Sequence, residues 1–419
     1  MLIKFDNYSK IIQNNNKYHY IYDKISKNHV FVTNEIMGYL KNAEELNMEI
    51  SEFISCFENL EDREYIKKLI SKLKKIGFIK NQEYDKEFKL KTKPTFKSIY
   101  IMLTDKCNLS CKHCSTNCSP QGKDFLSTDK IKSIIVNAKL LNPESLIFTG
   151  GEPLVRNDLE EILNFTKEQL PNCKLSLSTN GTLINNNNIN LIKTFFNKVD
   201  ISLDGVNEKT CSEIRGPGVF QKVIKTIKLL QENGITNISL SMVFSSKNRN
   251  LRTKFLELNK SLGTNPITRS LIPKGRAYEN ISMFNIEKNH IPESIPNIYN
   301  PKEKISKKIG SCSCNAFESN LFISSDGYAY PCPSLIKDRY KIINLATKEY
   351  SQDYIVDMIK AINSSFTETL EYKGTKCENC NLNIFCWNCP ANFESAKEHS
   401  EIDKWCDLMK SNLEKIVWG

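Results

Sequence analysis

The chain has 419 residues, 40% of them hydrophobic and 25% charged, and its formal net charge is +10. That is the composition of an ordinary globular protein of two or three domains. The lysines are spread along the chain instead of clustered, so we expect no nucleic-acid partner. The start MLIKFDNYSK lacks the features of a secretory signal, and the chain contains no run of about 18 apolar residues. We therefore expect a cytoplasmic location and no membrane partner.

The chain contains 15 cysteines, most of them in two groups. One group lies at positions 107–118 and the other at positions 312–406. In a reducing compartment, clustered cysteines indicate metal binding or catalysis rather than disulfides. The isolated cysteines, predicted to be ordinary thiols, are Cys56, Cys173 and Cys211.

Changes in the sequence pattern divide the chain into four parts. The first has the strands and helices of a small α+β domain, the third alternates strands with helices, and the last holds most of the cysteines. A charged, mostly polar stretch before the third part is predicted to be a linker. The predicted boundaries are 1–82 for the first domain, 83–96 for the linker, 97–290 for the third part and 291–419 for the C-terminal domain.

The first domain is predicted to be winged-helix-like. Two alternating runs at 18–22 and 29–32 indicate a β-hairpin. Three helices follow, of which the first is capped within Thr33–Asn34 and the last ends at Gly77. Residues Phe78–Ile79 are predicted to begin a short strand.

From residue 98 onwards, short apolar strands alternate with helices. Such alternation predicts a parallel sheet with right-handed crossovers, and six units would form an open, partial (β/α)6 TIM barrel of the α/β class. Ligands in these folds bind at the carboxyl ends of the strands. After about residue 280 the alternation stops. The predicted strands are Ser98–Leu103, Ser145–Phe148, Lys174–Leu177, Val199–Leu203, Asn237–Phe244 and Ile267–Ile272.

A C-x3-C-x2-C loop, formed by Cys107, Cys111 and Cys114, directly follows the first predicted barrel strand. Thiolates on such a loop are the ligands that hold [4Fe–4S] clusters, and three ligands leave one iron open. A closed zinc site with Cys118 as its fourth ligand is the alternative, although zinc loops usually use paired C-x2-C hooks.

This loop resembles the signature of the radical S-adenosylmethionine (SAM) superfamily. One departure is His113, which stands where the family usually has an aromatic residue. The resemblance implies that the three cysteines bind a [4Fe–4S] cluster and that SAM binds the open iron. It also implies that SAM is cleaved to methionine and a deoxyadenosyl radical, which abstracts hydrogen from the substrate.

Segments at the ends of the next strands resemble SAM-binding segments of the same family. The Gly-Gly-Glu-Pro segment after the second strand would hold the SAM amino group, where Glu152 can pair with an ammonium. Segments 178–181 and 201–205 and the guanidinium of Arg215 would reach the ribose and the carboxylate. The segment Pro273–Ala277 is similar to one in peptide-modifying members and receives no role. The expected SAM contacts are Gly150, Gly151, Glu152, Pro153, Asn180, Ser202, Asp204 and Arg215.

The C-terminal cysteines resemble the SPASM domain of radical SAM enzymes, except that the last gap of the quartet is two residues instead of three. Two C-x2-C hooks alone would also suit zinc ribbons. The resemblance implies two auxiliary [4Fe–4S] clusters, three clusters in all. By position, the first would use Cys314, Cys332 and Cys389, with Cys312 as a candidate fourth ligand, and the second would use Cys377, Cys380, Cys386 and Cys406.

The first 80 or so residues resemble the recognition element of enzymes that modify ribosomally synthesised peptides (RiPPs), similar to the small chaperone of pyrroloquinoline-quinone biosynthesis. The resemblance implies that the leader of a precursor peptide adds as a strand to the hairpin edge. A DNA-binding winged helix or a structural cap is the alternative. Lysines of the last helix that would suit an acidic leader are Lys67, Lys68, Lys72, Lys74 and Lys75.

These features together predict a radical SAM peptide maturase that crosslinks a precursor peptide, with a cysteine thioether of the sactipeptide or ranthipeptide type as the preferred product. Carbon–carbon crosslinking, epimerisation, decarboxylation and sulfatase maturation stay open, and no general base is assigned. The expected partners are the precursor peptide and an electron donor such as flavodoxin or ferredoxin. The alternative from another class is a zinc-containing, DNA-binding regulator.

Overall fold

The computed structural model describes most of the chain. Two compact units are present, one from the described parts of 1–92 and 368–419 and the other from those of 93–294 and 315–367. None of the helices in the described residues is long and apolar enough to cross a membrane. Cys312, Cys314 and all but the last residue of the predicted linker lie outside the described residues. Those residues are 1–5, 10–14, 17–23, 29–79, 96–245, 247–284, 316, 319–370, 372–386, 389–398 and 400–417.

The N-terminal part of the chain contains a three-stranded antiparallel sheet in the order β1-β2-β3. Its strands are β1 (Lys10–Asn14), β2 (Tyr18–Asp23) and β3 (His29–Thr33). The predicted hairpin is confirmed as β2 and β3, whose turn lies outside the described residues. β1 was not predicted, because its two isoleucines are adjacent in KIIQN and so show no alternation.

Three helices accompany this sheet: α1 (Asn34–Glu45), α2 (Ile50–Ser55) and α3 (Leu60–Lys75). The predicted cap of α1 is Thr33, whose Oγ1 accepts a hydrogen bond of 3.3 Å from the Ile36 N–H. After α3 the chain turns at Gly77, where φ is +66°. At the predicted start of a strand, Phe78–Ile79, Ile79 forms an isolated antiparallel bridge to Phe5, and the residues that would continue that strand lie outside the described residues.

A hydrophobic core joins these helices to the sheet. Ile66, Leu69 and Leu73 of α3 are buried in one cluster with Val30 and Val32 of β3. The spacing of the three α3 residues is that of one helix face, so burial of that face holds α3 in place.

The second unit is built on an eight-stranded sheet in the order β11-β10-β4-β5-β6-β7-β8-β9. All six predicted strands are confirmed, and each pairs in parallel with the next. With β9 and β11 at its two edges, the sheet fits an open, partial barrel. The six strands are β4 (Ser98–Met102), β5 (Ser145–Thr149), β6 (Lys174–Thr179), β7 (Lys198–Ser202), β8 (Ile238–Phe244) and β9 (Asn265–Ser270).

Two further strands extend this sheet beyond β4. β10 (Asn320–Ile323) pairs in parallel with β4, and β11 (Ala329–Tyr330) pairs antiparallel with β10. The sequence predicted no strand after residue 280. A run of four residues is too short to show a period, so only its pairing with β4 makes it a strand.

The helices of this unit cover the outer face of the sheet. Strand residues such as Val199 and Ile201 point outwards and are fully buried, whereas Lys198, Asp200 and Ser202 alternate with them and line a cavity. The lumen of the partial barrel is therefore polar. The helices are α4 (Thr128–Lys139), α5 (Leu159–Gln169), α6 (Ile189–Phe195), α7 (Glu208–Arg215), α8 (Val219–Glu232), α9 (Arg252–Leu262) and α10 (Arg276–Glu279).

Four more helices follow β11: α11 (Gln352–Leu370), α12 (Asn383–Cys386), α13 (Pro390–Glu398) and α14 (Ile402–Val417). The buried side chain of Asn137 fixes the segment that precedes α11. Its Nδ2 donates to the carbonyls of Leu345 and Lys348, each at 2.8 Å, and its Oδ1 accepts from the Tyr350 N–H at 3.0 Å. Residues that follow β11 are thus attached to the barrel helix α4.

Candidate functional site

The polar lumen of the barrel opens into a cavity of about 520 Å³ at the carboxyl ends of the strands. Cys107, Cys111 and Cys114 line this cavity together with Gly150 and Gly151. The structure therefore brings the first cysteine motif and the glycine pair together, as parallel strands should when their carboxyl ends share one edge.

The three thiols differ in their surroundings. Burial raises the pKa of Cys107 to about 11 and also raises the pKa of Cys111. Hydrogen bonds with Cys118 and Thr116 lower the pKa of the Cys114 thiol. Because burial disfavours the thiolate, Cys107 and Cys111 need a positive partner such as a metal centre to ionise.

Cys118 lies beside this set and has a different character. Its Sγ is 3.2 Å from the hydroxyl of Thr116, which is itself 3.6 Å from the Sγ of Cys114. The hydrogen bond with Cys114 and burial both raise the pKa of Cys118. Cys118 is thus better placed to donate a hydrogen bond to Cys114 than to act as a thiolate ligand.

The cavity has the features expected of a site for a cluster and an organic ligand. Within the described part of the chain, no three His, Cys, Asp or Glu side chains converge on a point that could hold one metal ion. Three thiols spread over a cavity wall instead suit a group of several metal atoms. In addition, the buried Nδ1 of His113 on the same wall has no hydrogen-bond partner among the described residues. The residues present therefore fit a [4Fe–4S] cluster with a ligand beside it.

The glycine pair is packed directly against the cysteine loop. The Glu152 N–H donates to the carbonyl of Lys106 at 2.9 Å, immediately before Cys107. A Cβ atom on Gly151 would lie 2.2 Å from that carbonyl oxygen, and Gly150 has a φ of +144°. Both positions require glycine, so backbone and not side chains borders the cavity beside Cys107.

The side chain of Glu152 faces the protein interior and not the cavity. Its carboxylate accepts hydrogen bonds from the Thr179 hydroxyl, at 2.8 Å to each oxygen, and from the N–H groups of Asn180 at 2.7 Å and Leu154 at 3.2 Å. Burial raises its pKa although these hydrogen bonds oppose the shift. Glu152 thus joins the ends of β5 and β6, and its expected pairing with a ligand ammonium stays a prediction. The next expected contact, Pro153, begins a buried 3-10 turn.

Asn180 lines the cavity and contacts the cysteine loop. Its Nδ2 donates to Asn108 Oδ1 at 2.8 Å and approaches Cys107 Sγ at 3.7 Å. Asn108 in turn donates to the Thr182 hydroxyl at 2.8 Å. Asn108 was not among the predicted site residues, although its position next to Cys107 could have indicated it.

Asp204 holds two cavity residues in place. Its carboxylate accepts hydrogen bonds from Arg215 Nε at 2.7 Å, His113 Nε2 at 2.8 Å and the Val243 N–H at 2.6 Å. Burial alone would raise the pKa of Asp204, but the Arg215 guanidinium and His113 hold it well below its usual range. The side chain of Asp204 is buried, whereas His113 and Arg215 line the cavity, and the expected contact of Asp204 with SAM stays a prediction.

The other two expected contacts lie on the cavity wall. Arg215, while paired with Asp204, approaches Cys111 Sγ at 3.8 Å through Nη1. Ser202 lies on the inner face of β7, and its hydroxyl accepts from Ser241 at 3.3 Å. Both side chains are therefore near the position that a ligand of the cluster would take.

Four C-terminal cysteines lie close to one another in the other compact unit. Burial raises the pKa of Cys386, and the thiols of Cys380, Cys377 and Cys406 raise it further. The turn that carries Cys377 and Cys380 is closed by Asn383, whose Nδ2 donates to the Cys377 carbonyl at 2.9 Å. The four thiols are thus near enough to interact electrostatically, and their assignment to the second auxiliary cluster stays a prediction.

The other two described cysteines of the C-terminal pattern are Cys389 and Cys332. Burial also raises the pKa of Cys389, which precedes α13 and is close to the N–H groups of Ala391 and Asn392. Cys332 lies in the barrel unit, directly after β11. Of the ligands predicted for the first auxiliary cluster, Cys332 and Cys389 are the two that the structure describes.

The sequence was compared with protein families and curated proteins. The family described as the Radical SAM superfamily matches residues 101–258. A probable GTP 3',8-cyclase of Saccharolobus islandicus (strain Y.N.15.51 / Yellowstone #2) is 33% identical over 167 residues, 40% of this chain and 54% of that protein. A probable GTP 3',8-cyclase of Methanosarcina mazei is 36% identical over 152 residues, 34% of this chain and 44% of that protein. The chain thus spans about half the length of the curated relatives it matches.

Solved structures share the fold over more of the chain. Native anSMEcpe with bound AdoMet has a TM-score of 0.51 at 18% identity and covers 75% of this chain and 100% of its own. Streptococcus suis SuiB bound to S-adenosylmethionine has a TM-score of 0.51 at 15% identity, with coverages of 92% and 95%. SuiB bound to the precursor peptide SuiA has a TM-score of 0.51 at 17% identity, with coverages of 93% and 95%.

The residues matched by the family include the three thiols and the glycine pair that meet in the cavity. Proteins solved with AdoMet bound share the surrounding fold. Residues 101–258 therefore form a domain that matches the radical SAM superfamily.

Proposed function

We propose that this enzyme is a maturase that crosslinks a ribosomally synthesised precursor peptide, and that the crosslink is a cysteine thioether. The observation that carries the proposal is the combination of a radical SAM cavity with an N-terminal sheet whose last strand, β3, lies at its edge and shares a hydrophobic core with α3. An edge strand can accept a peptide as an additional strand.

The cofactor site follows from the cavity. Cys107, Cys111 and Cys114 would hold a [4Fe–4S] cluster, and the backbone of Gly150 and Gly151 would border the SAM bound beside it. When bound, this group supplies the reductive cleavage of SAM that starts hydrogen abstraction from the substrate. The protein's own contribution is to orient His113 and Arg215 through Asp204, and to offer the polar lumen to the substrate.

A peptide substrate is supported by the likeness in fold to SuiB, which was solved with its precursor peptide SuiA. The likeness covers 93% of this chain and so extends beyond the radical SAM domain. The helix α3 carries exposed lysines such as Lys68 and Lys72, which would attract an acidic leader segment.

The proposal also names the bond that is formed, a cysteine thioether. Forming a C–S bond from one C–H and one S–H group removes two hydrogens, so an electron has to leave through an acceptor. Cys377, Cys380, Cys386 and Cys406 would hold an auxiliary [4Fe–4S] cluster that provides this acceptor. The other auxiliary cluster would use Cys314, Cys332 and Cys389, with Cys312 as a candidate fourth ligand.

The test is an anaerobic reaction of the reconstituted enzyme with SAM, reductant and any short Cys-rich peptide that a neighbouring open reading frame encodes. We expect 5′-deoxyadenosine and a peptide that has lost two hydrogens per crosslink, detected by mass spectrometry. An unchanged mass with an inverted stereocentre would replace crosslinking by epimerisation. Absence of 5′-deoxyadenosine from enzyme with a full complement of iron would refute the proposal.

A nucleotide substrate is the second candidate, favoured by the identity to probable GTP 3',8-cyclases over the radical SAM domain. The same reaction with GTP in place of the peptide distinguishes the two. Consumption of GTP with formation of 5′-deoxyadenosine, together with no change in the peptide, would favour the nucleotide.

A further inference from the structure

The segment Pro273–Ala277 is the one sequence motif to which the proposed function gives no role. Within it, Arg276 makes three hydrogen bonds to carbonyls of the cysteine loop. Its Nε donates to Cys111 O at 2.8 Å and its Nη2 to Cys118 O at 2.6 Å. Its backbone N–H donates to Cys114 O at 3.0 Å. Arg276, which comes after the last barrel strand, thus contacts the cysteine loop, which follows the first barrel strand.

The segment is held against the loop by close backbone packing. Gly275 has a φ of +57°, and a Cβ atom there would lie 2.6 Å from Cys114 O and 2.8 Å from Ser115 O. Asn280, one turn after Arg276, donates to Lys112 O at 3.2 Å. The backbone at Gly275 therefore packs against the backbone of the cysteine loop, and this packing sets the position of Arg276. A residue with a side chain would not fit at position 275.

The cysteine loop depends on such contacts because it runs from Leu103 to Ser127 without a regular helix or strand. Buried carbonyls that lack secondary structure need other donors. A guanidinium is a rigid fork that can serve two separate carbonyls at once, which an ammonium cannot do in the same geometry. With their carbonyls bound to Arg276, Cys111 and Cys114 line the cavity with their side chains.

We propose that Arg276 is a positioning residue for the cluster: it fixes the loop so that the thiols of Cys111 and Cys114 keep the spacing the cluster requires. The inference rests on the proposed cluster site. It adds that the carboxyl end of β9 sets the geometry of the cysteine loop, and that a fixed positive charge beside the cluster favours its reduced, more negative form.

The test compares the wild type with R276K and R276Q, and with R252Q as a charge-matched control at an exposed position of α9. The first readout is the electron paramagnetic resonance signal of the reduced enzyme that changes when SAM is added, because this change reports on a cluster with an open iron. We expect R276Q to lose most of this signal and to show a more negative midpoint potential in what remains. R276K should be intermediate, and R252Q should match the wild type.

The second readout needs no iron. Hydrogen exchange of the amides between Cys111 and Cys118 in the iron-free protein should be about tenfold faster in R276Q than in the wild type, the factor expected for losing a hydrogen bond to a charged group. R252Q should leave it unchanged. If the wild type itself lacks a resonance signal that changes with SAM, the proposed function fails. The hydrogen exchange of the loop amides then decides whether Arg276 positions the cysteine loop.

The inference is overturned if R276K and R276Q match the wild type in signal, potential and loop exchange. It is also overturned if R252Q produces the same losses, because charge and not position would then be the cause. Should R276Q fail to fold, R276K decides: a wild-type signal and potential in R276K would refute the inference, and a reduced SAM-sensitive signal in folded protein would support it.

Discussion

At the scale of single residues, the glycine at position 151 shows how little space separates the second strand's loop from the cysteine loop. A methyl group at Gly151 would lie 2.2 Å from the Lys106 carbonyl oxygen, so G151A must displace the backbone before Cys107. Overpacking of this kind costs about 1–3 kcal/mol, and we expect a loss of that size in the free energy of unfolding.

Chemical denaturation of the iron-free protein measures this loss. The matched control is G38A, because Gly38 lies exposed within α1 and a Cβ atom there meets nothing within 4 Å. Replacing glycine by alanine in a helix stabilises by up to about 1 kcal/mol. Opposite signs for the two substitutions are the expected result, and an unchanged stability of G151A would contradict the packing described.

The buried pair of Asp204 and Arg215 leads to a second prediction at this scale. D204N leaves the guanidinium buried without its counter-charge, which costs about 3–5 kcal/mol for buried pairs. The exposed pair Glu64–Lys67 is the control, and E64Q should cost less than about 1 kcal/mol. Equal effects of the two substitutions on unfolding would contradict the burial of Asp204.

The pH dependence of this effect follows from the lowered pKa of Asp204. A carboxylate whose folded pKa is depressed stabilises fully above its unfolded pKa of about 3.9, and loses that contribution only as the pH falls through the folded pKa. The difference in unfolding free energy between D204N and the wild type should therefore stay constant from about pH 5 to pH 8. A difference that vanishes as the pH falls to about 5 would contradict the lowered pKa of Asp204.

At the scale of elements, the exposed lysines of α3 test the proposed recognition of a leader peptide. Lys68 and Lys72 lie one turn apart on one face of α3, so K68E/K72E reverses the charge beside β3. Each surface charge changes binding by up to about 1 kcal/mol, so we expect an acidic leader to bind roughly tenfold or more weakly. Fluorescence anisotropy of a labelled leader measures the affinity at low salt.

The control for that prediction reverses two exposed lysines of the barrel helix α8. K225E/K228E changes the net charge by the same amount on a helix of the other compact unit. It should leave the affinity for the leader close to the wild-type value. Equal weakening by both double variants would mean that net charge, and not α3, attracts the peptide.

The elements also show what local patterns can predict. The six barrel strands were predicted because each is an apolar run between amphipathic helices, and the Thr33 cap because its signal lies within four residues. β1 and β10 were missed, since each is short and becomes a strand only through pairing with a distant one. Periodicity reports burial along a segment and not the partner it finds.

The same limit applies to the site. The cysteine triple was predicted from its spacing and the glycine pair from its resemblance to SAM-binding segments, and the cavity brings them together. The orientations of the Glu152 and Asp204 side chains were not predicted, because their hydrogen-bond partners come from other strands. The contact of Arg276 with Cys111 spans 165 residues, so no local pattern could indicate it.

At the scale of the whole molecule, the cysteines of the two compact units predict two separable kinds of cluster. Cys111 belongs to the barrel unit, whereas Cys386 is grouped with Cys377, Cys380 and Cys406 in the other unit. C386A should lower the iron content by about four atoms per chain and leave the SAM-sensitive resonance signal in place. C111A should remove that signal and keep the iron of the auxiliary sites.

Iron analysis and resonance spectra of the anaerobically reconstituted variants make this comparison, with C173A as the control. Cys173 is a buried cysteine outside both groups, so its loss should change neither readout. A C386A variant that lost the SAM-sensitive signal would mean that the C-terminal group contributes to the first cluster. The contrary result is that C386A keeps the full iron content and still forms crosslinks. The electron acceptor proposed for thioether formation would then have to lie elsewhere, because an electron is released when the carbon radical and the thiolate sulfur form the C–S bond.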